Sequence, residues 1–270
     1  MPGMVLAFVA AIILTLVSWT SGGDIILSMS EATPIAKKDY PQLFNVVEEM
    51  AISAGIPMPK VYVINDTAPN AFATGSHPDN AVVAITSGLL EKLDRDELQG
   101  VIAHEIAHIR NYDIRFMMLM SVMAGLIVLL SDFFIRSSWF GFGGGRRRSR
   151  DSDGGGGGYF FLIALLLAIL APLIAKLIQL AVSRKREYLA DATSVQFTRY
   201  PEGLARALEK IASDEEPLEV ANRATQHLYI VNPLQQYKWG SESMFSTHPP
   251  IARRIALLNE ISGRLSHDSK

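Results

Sequence analysis

Apolar residues run together in three stretches of this chain and are interspersed with polar ones elsewhere. The stretches are Met4 to Thr20, Phe116 to Ile135 with Asp132 near its far end, and Tyr159 to Val182, broken by Pro172, Lys176 and Gln179. Each approaches the roughly 20 predominantly apolar residues that span a bilayer. The first lacks a basic leader and a small-residue cleavage site. It therefore reads as an N-terminal transmembrane segment, 4–20, truncated or partial, rather than a removable signal. The other two form a transmembrane hairpin, 116–182, around a Gly/Arg-rich loop, 136–158, whose composition supports neither helix nor core.

The remaining pieces, 31–115 and 183–270, have soluble patterning. Leu43, Val46, Val47, Met50 and Ala51 recur at helical spacing over Pro41 to Ala54, ending at Gly55 with Pro57 beyond. Short apolar runs at Val61–Ile64, Ala71–Thr74 and Ala81–Thr86 are separated by turn-forming residues, which predicts a small antiparallel sheet. Asp94 stands three residues before Glu97, a capping box that opens a helix running through His104 toward Tyr112. Pro201 and the Pro249-Pro250 pair precede two more helical runs, Leu204–Ala212 and Ile251–Ile261. The fold class is α+β, mainly helical, with transmembrane helices attached.

Composition sharpens this picture. The 270 residues carry 25 Lys+Arg against 27 Asp+Glu, 49% hydrophobic and 19% charged, with a mean hydropathy of +0.20. Disordered and nucleic-acid-binding classes are excluded by that balance. The arginine-rich run at Arg146–Arg150 reads as a solvated loop. With no cysteine, thiolate metal sites, disulfides and cysteine nucleophiles are excluded, so a metal must be held by His, Asp or Glu.

The helix opened by Asp94 carries His104-Glu105-Ile106-Ala107-His108. Two histidines at i and i+4 share one helical face and can reach one metal ion, and Glu105 is placed to act as general base toward a water. The same spacing also suits two ordinary histidines on an amphipathic helix, since Val101, Ile102, Ile106 and Ile109 already supply an apolar stripe. A catalytic zinc needs a third ligand. His77, His227, His248, His267 and every downstream carboxylate are candidates. Among them, Glu187 and Asp191 stand at i and i+4, where Glu187 can ligate and Asp191 can accept the other ring N–H of a ligating histidine.

These residues, with Asn70-Ala71-Phe72-Ala73-Thr74-Gly75, the HExxH helix continuing into His108-Ile109-Arg110-Asn111-Tyr112-Asp113, the apolar pair, Arg186-Glu187-Tyr188-Leu189-Ala190-Asp191 and Ser246-Thr247-His248-Pro249-Pro250, make the chain resemble the HtpX-like family of membrane-bound zinc endopeptidases. More distantly it resembles the CAAX prenyl protease of the same family. The resemblance covers nearly the whole chain. It implies a gluzincin-like catalytic domain with one zinc per chain held by His104, His108 and Glu187, and Glu105 as the base. It also implies that Asn70, on the edge strand, and His248 stabilise the substrate and the oxyanion. Family members place two spans before the catalytic domain, whereas this sequence shows one.

Polypeptide is the implied substrate, unfolded or membrane proteins in quality control, with the lipid bilayer as the other partner and no nucleic acid. If the two histidines and Glu187 meet, the chain crosses the bilayer an even number of times between residues 108 and 187. Lys37, Lys38, Arg110, Arg115, Arg184, Lys185 and Arg186 flank the spans on the catalytic side, favouring a cytoplasmic catalytic domain in a bacterial or archaeal cell membrane. Arg136 and the loop arginines argue the other way. The alternatives are a processing protease for a defined substrate and a non-catalytic metal-binding scaffold.

Overall fold

The computed structural model describes residues 16, 20–117, 127, 131, 157–214, 216–218, 229–231 and 248–268. Most of the expected N-terminal span, most of the second apolar stretch and nearly all of the Gly/Arg-rich loop lie outside these residues. A helix over 20–29, α1, leads into β1 (Thr33–Pro34) and α2 (Pro41–Ala54). Then come β2 (Lys60–Ile64), β3 (Ala71–Thr74), β4 (Val82–Thr86), α3 (Ser87–Lys92) and α4 (Arg95–Arg110). After the second apolar stretch follow α5 (Gly157–Thr198), α6 (Pro201–Ser213) and α7 (Ile251–Asp268).

The sheet is mixed, not antiparallel throughout as its short runs suggested. Its order is β1-β2-β4-β3, with β4 parallel to β2 and antiparallel to β3. After β2 the chain crosses to the sheet edge and runs back as β3. It then returns through the turn at Pro78–Asn80 and inserts β4 between the two. Alternation of side chains reveals strands but not which of them pair, so it cannot register such an insertion.

The helix α4 is central, with Val101, Ile102, Ala103, Ile106 and Ala107 fully buried. Its start is fixed as the capping box requires: Glu97 N–H donates to Asp94 Oδ1 and Asp94 N–H to Glu97 Oε2, both at 2.9 Å. The Glu97 carboxylate is also 2.6 Å from Lys210 Nζ, pinning α6 to the same end. Close crossing of these helices depends on glycine. A Cβ on Gly100 would lie 2.5 Å from the Leu204 backbone nitrogen, and one on Gly203 2.7 Å from the Asp96 carbonyl oxygen.

The apolar stretch and the segment bearing Glu187 form one continuous helix of 42 residues, with Pro172 inside it. Nothing between Val182 and Thr198 breaks a helix, so the expected boundary at 182/183 falls inside one helix. Among the described residues no helix is long and apolar enough to cross a membrane. Even so, α5 turns Leu166, Ile169, Leu170, Leu173, Ile174, Leu177 and Ile178 outward, each at least 37% exposed.

Candidate metal centre

Four elements converge at the middle of α4: α4 itself, the lower half of α5, the entry to α7, and the edge strand β3. The His104 and His108 Nε2 atoms face each other at 3.1 Å. Glu187 on α5 approaches both, with Oε2 3.7 Å from His104 Nε2 and Oε1 3.5 Å from His108 Nε2. The three side chains can each present one donor atom within 4.8 Å of the others. Two nitrogens bound about 2.0–2.1 Å from one tetrahedral ion lie about 3.3 Å apart, so the observed separation fits a shared metal. Glu187 Oε2 is buried with no hydrogen bond, which also suits a ligand atom. Imidazole and carboxylate donors of this kind are the ligand set of catalytic zinc.

The two imidazole rings are held from behind. His104 Nδ1 is 3.0 Å from Asp191 Oδ1, and His108 Nδ1 is 2.8 Å from Asp113 Oδ2. An N–H at each Nδ1 leaves each Nε2 facing the centre. Arg254 on α7, 1% exposed, donates to both Asp191 oxygens at 2.8 and 2.7 Å, and its Nη1 lies 3.3 Å from Glu187 Oε2. Asp113 closes the run His108–Asp113 that carries the family resemblance, yet its place behind a ring is not legible there, and Arg254 reads as an ordinary polar residue near a helix end. The one available signal was that Arg254 falls where α7 needs an inward-facing residue, four after Pro250.

Electrostatics follow from burial and proximity. Burial, aided by Glu187, pushes the Glu105 carboxyl up to about 7, against the lowering influence of His108, Arg254 and a hydrogen bond from the Ala73 backbone. Burial and the Arg254 charge lower the His104 pKa. Burial opposes a charge on His108 too, but hydrogen bonds to Asp113 and Glu187 outweigh it and raise the metal-free ring to about 10. Burial would raise Glu187, yet His248 and His108 hold it well below the usual carboxylate range. Asp191 is likewise held down against burial by Arg254 and His104.

His248, just before α7, is buried with Nδ1 3.3 Å from Glu187 Oε2, and neither ring nitrogen has a hydrogen bond among the described residues. Asn70 is set differently. It lies just ahead of β3, 4% exposed, and its Nδ2 donates to Val231 O at 3.0 Å. In the same place Ile230 N–H donates to Ala71 O at 3.0 Å, and Ile230 O accepts from Arg254 Nη1 at 3.2 Å. Segment 229–231 therefore already covers the outer edge of β3 at Ala71. Of the other candidate ligands, His77 is exposed and paired with Asp79. His227 and the His267 side chain lie outside the described residues.

The sequence model of peptidase family M48 matches residues 37–262. A protease HtpX homologue of Dictyoglomus turgidum is 47% identical over 262 residues, covering 97% of this chain and 83% of that protein. One from Streptococcus uberis is 48% identical over 259 residues, covering 96% and 86%. The crystal structure of S. mikatae Ste24p shares the fold, with a TM-score of 0.59 at 24% identity, covering 95% of this chain and 57% of that one.

Proposed function

The chain belongs to peptidase family M48 and is a metalloprotease, and from that premise we propose an integral-membrane zinc endopeptidase that hydrolyses peptide bonds of misfolded or unfolded membrane proteins. The observation that carries the reading is the convergence of His104, His108 and Glu187 beside a buried Glu105. Two imidazoles and one carboxylate suit one zinc per chain. When bound there, zinc would supply Lewis-acid chemistry that lowers the barrier to water attack on a peptide carbonyl.

The protein's own residues supply the rest. The buried Glu105 carboxylate can take a proton from the attacking water and pass it to the departing amide nitrogen. A non-catalytic scaffold has no use for a buried carboxyl beside its ligands. His248, whose Nδ1 lies 3.3 Å from Glu187 Oε2, can donate from Nε2 toward the oxygen on which negative charge develops. Asn70 and the outer edge of β3 can hold an extended peptide by strand addition. For that, segment 229–231 gives way to substrate, releasing both the Asn70 amide from Val231 O and Ala71 O from Ile230 N–H.

Extended main chain is what strand addition recognises, which favours unfolded polypeptide over folded protein. The outward row of Leu and Ile on α5 suits a lipid-facing or helix-facing surface, supporting a bilayer setting. The basic residues at the ends of the apolar stretches favour a cytoplasmic catalytic side. Cleavage of an unfolded reporter such as casein by the purified full chain, lost on zinc chelation and restored by zinc, tests the reading.

A further inference from the structure

Asp113 stands behind His108 because the helix stops short of it. Five residues along an unbroken helix would turn it about 140° away from the His108 face. Instead α4 ends at Arg110, Tyr112 takes a left-handed conformation with φ of 56°, and the chain brings Asp113 back under the ring. A bulky residue in that region is strained, and such strain persists where the surroundings enforce it. Asp113 is 3% exposed, with Oδ2 2.8 Å from His108 Nδ1.

The second Asp113 oxygen faces α5. Its Oδ1 lies 2.7 Å from Arg186 Nε, a charge pair whose N–H is not aimed along the contact. Arg186 immediately precedes Glu187. It is itself held in place: Nη2 donates to Asn111 O at 3.4 Å, and the guanidinium lies 4.5 Å over the Phe116 ring. Phe116 begins one apolar stretch, and Arg186 lies on the helix that continues the other.

We propose that Asp113 and Arg186 form a positioning bridge behind the metal site, fixing the His108 ring with its proton on Nδ1 and setting the spacing of His108 and Glu187 where the two apolar stretches join the domain. The inference rests on reading His104, His108 and Glu187 as the ligands. Asp113 orients the ring and raises its basicity, while Arg186 offsets a buried carboxylate charge that would otherwise be costly to keep there. Neither residue touches substrate.

The test uses the purified full chain in detergent. Zinc content is measured by elemental analysis, zinc affinity by chelator competition, and stability by melting of the zinc-free protein, for Asp113→Ala, Asp113→Asn, Arg186→Ala and the Asp113→Ala/Arg186→Ala double variant. Asp113→Ala should bind zinc about 10–100-fold more weakly. Asp113→Asn, isosteric and still able to accept from Nδ1, should fall between it and the parent. Arg186→Ala should lose less, and the double variant should bind no more weakly than Asp113→Ala, because Arg186 acts through Asp113. A residue with a purely structural role would lower the melting temperature without that ordering or non-additivity. Parental zinc affinity in both Asp113 variants, or additive losses in the double variant, would overturn the bridge alone. If the parent bound no zinc, or His108→Ala bound it as well as the parent, the ligand reading would fall and the bridge with it.

Discussion

Arg254 meets both oxygens of Asp191, Nε to Oδ2 at 2.8 Å and Nη2 to Oδ1 at 2.7 Å. The pair is buried, and Asp191 in turn lies 3.0 Å from His104 Nδ1. One guanidinium on α7 thereby fixes the acid that fixes a histidine on α4, so the C-terminal helix is part of the site's framework.

Removing one member of a buried pair strands the other. Arg254→Met should therefore destabilise the protein by about 3–5 kcal/mol in chemical denaturation. Arg254→Lys keeps the charge but not the two-pronged geometry, and should recover only part of the loss. Arg254→Met with parental stability would mean that Asp191 finds another partner.

Glu105 sets a pH dependence whose sign can be worked out. Its folded pKa of about 7 lies above the unfolded value near 4.5. The native state of the metal-free protein thus holds an extra proton between those values, and stability falls as pH rises from about 4.5 to 7. Glu105→Gln removes that loss. The metal-free variant should match the parent near pH 4.5 and gain on it with rising pH, reaching an advantage of about 3 kcal/mol above pH 7. Melting curves of both proteins across this range check the prediction; a constant difference would show that the carboxyl is not raised.

Zinc must displace the proton from His108, whose metal-free pKa is about 10. Affinity measured by chelator competition should accordingly rise about tenfold per pH unit through neutrality. His104→Ala, His108→Ala and Glu187→Ala should each lose the metal. Full occupancy in Glu187→Ala would require a different third ligand.

The same physics explains which parts of the site were legible in the sequence. The His104, Glu105, His108 spacing is local to one helix, and Glu187 with Asp191 is local to another, so 3.6-residue periodicity alone puts each set on one face. The helix over Pro41–Ala54 and its end at Gly55, whose φ is 67°, were equally local. Asp113 depends on the left-handed turn at Tyr112. Arg254 depends on α7 packing back against α6 and α5, and the parallel pairing of β2 with β4 depends on a third strand between them in sequence. The cover of the β3 edge by Ile230 joins residues 159 positions apart and left no local trace.

Membrane topology is open to a direct measurement, because the parent has no cysteine. If the apolar pair spans the bilayer, a cysteine at Ser149 should react with an impermeant reagent from the side opposite one at Ser213 in oriented vesicles. Same-side labelling would mean that the pair does not cross, whatever the state of the metal site.

The separation of ligand from base lies at the centre of this account, and one comparison tests it most directly: zinc content and casein cleavage of the parent and Glu105→Gln, measured on the same preparations. An amide cannot take up the water proton, so the variant should keep about one zinc per chain and lose activity by a factor of about 10²–10⁴ or more. Zinc-loaded Glu105→Gln that cleaved casein at the parental rate would contradict the account.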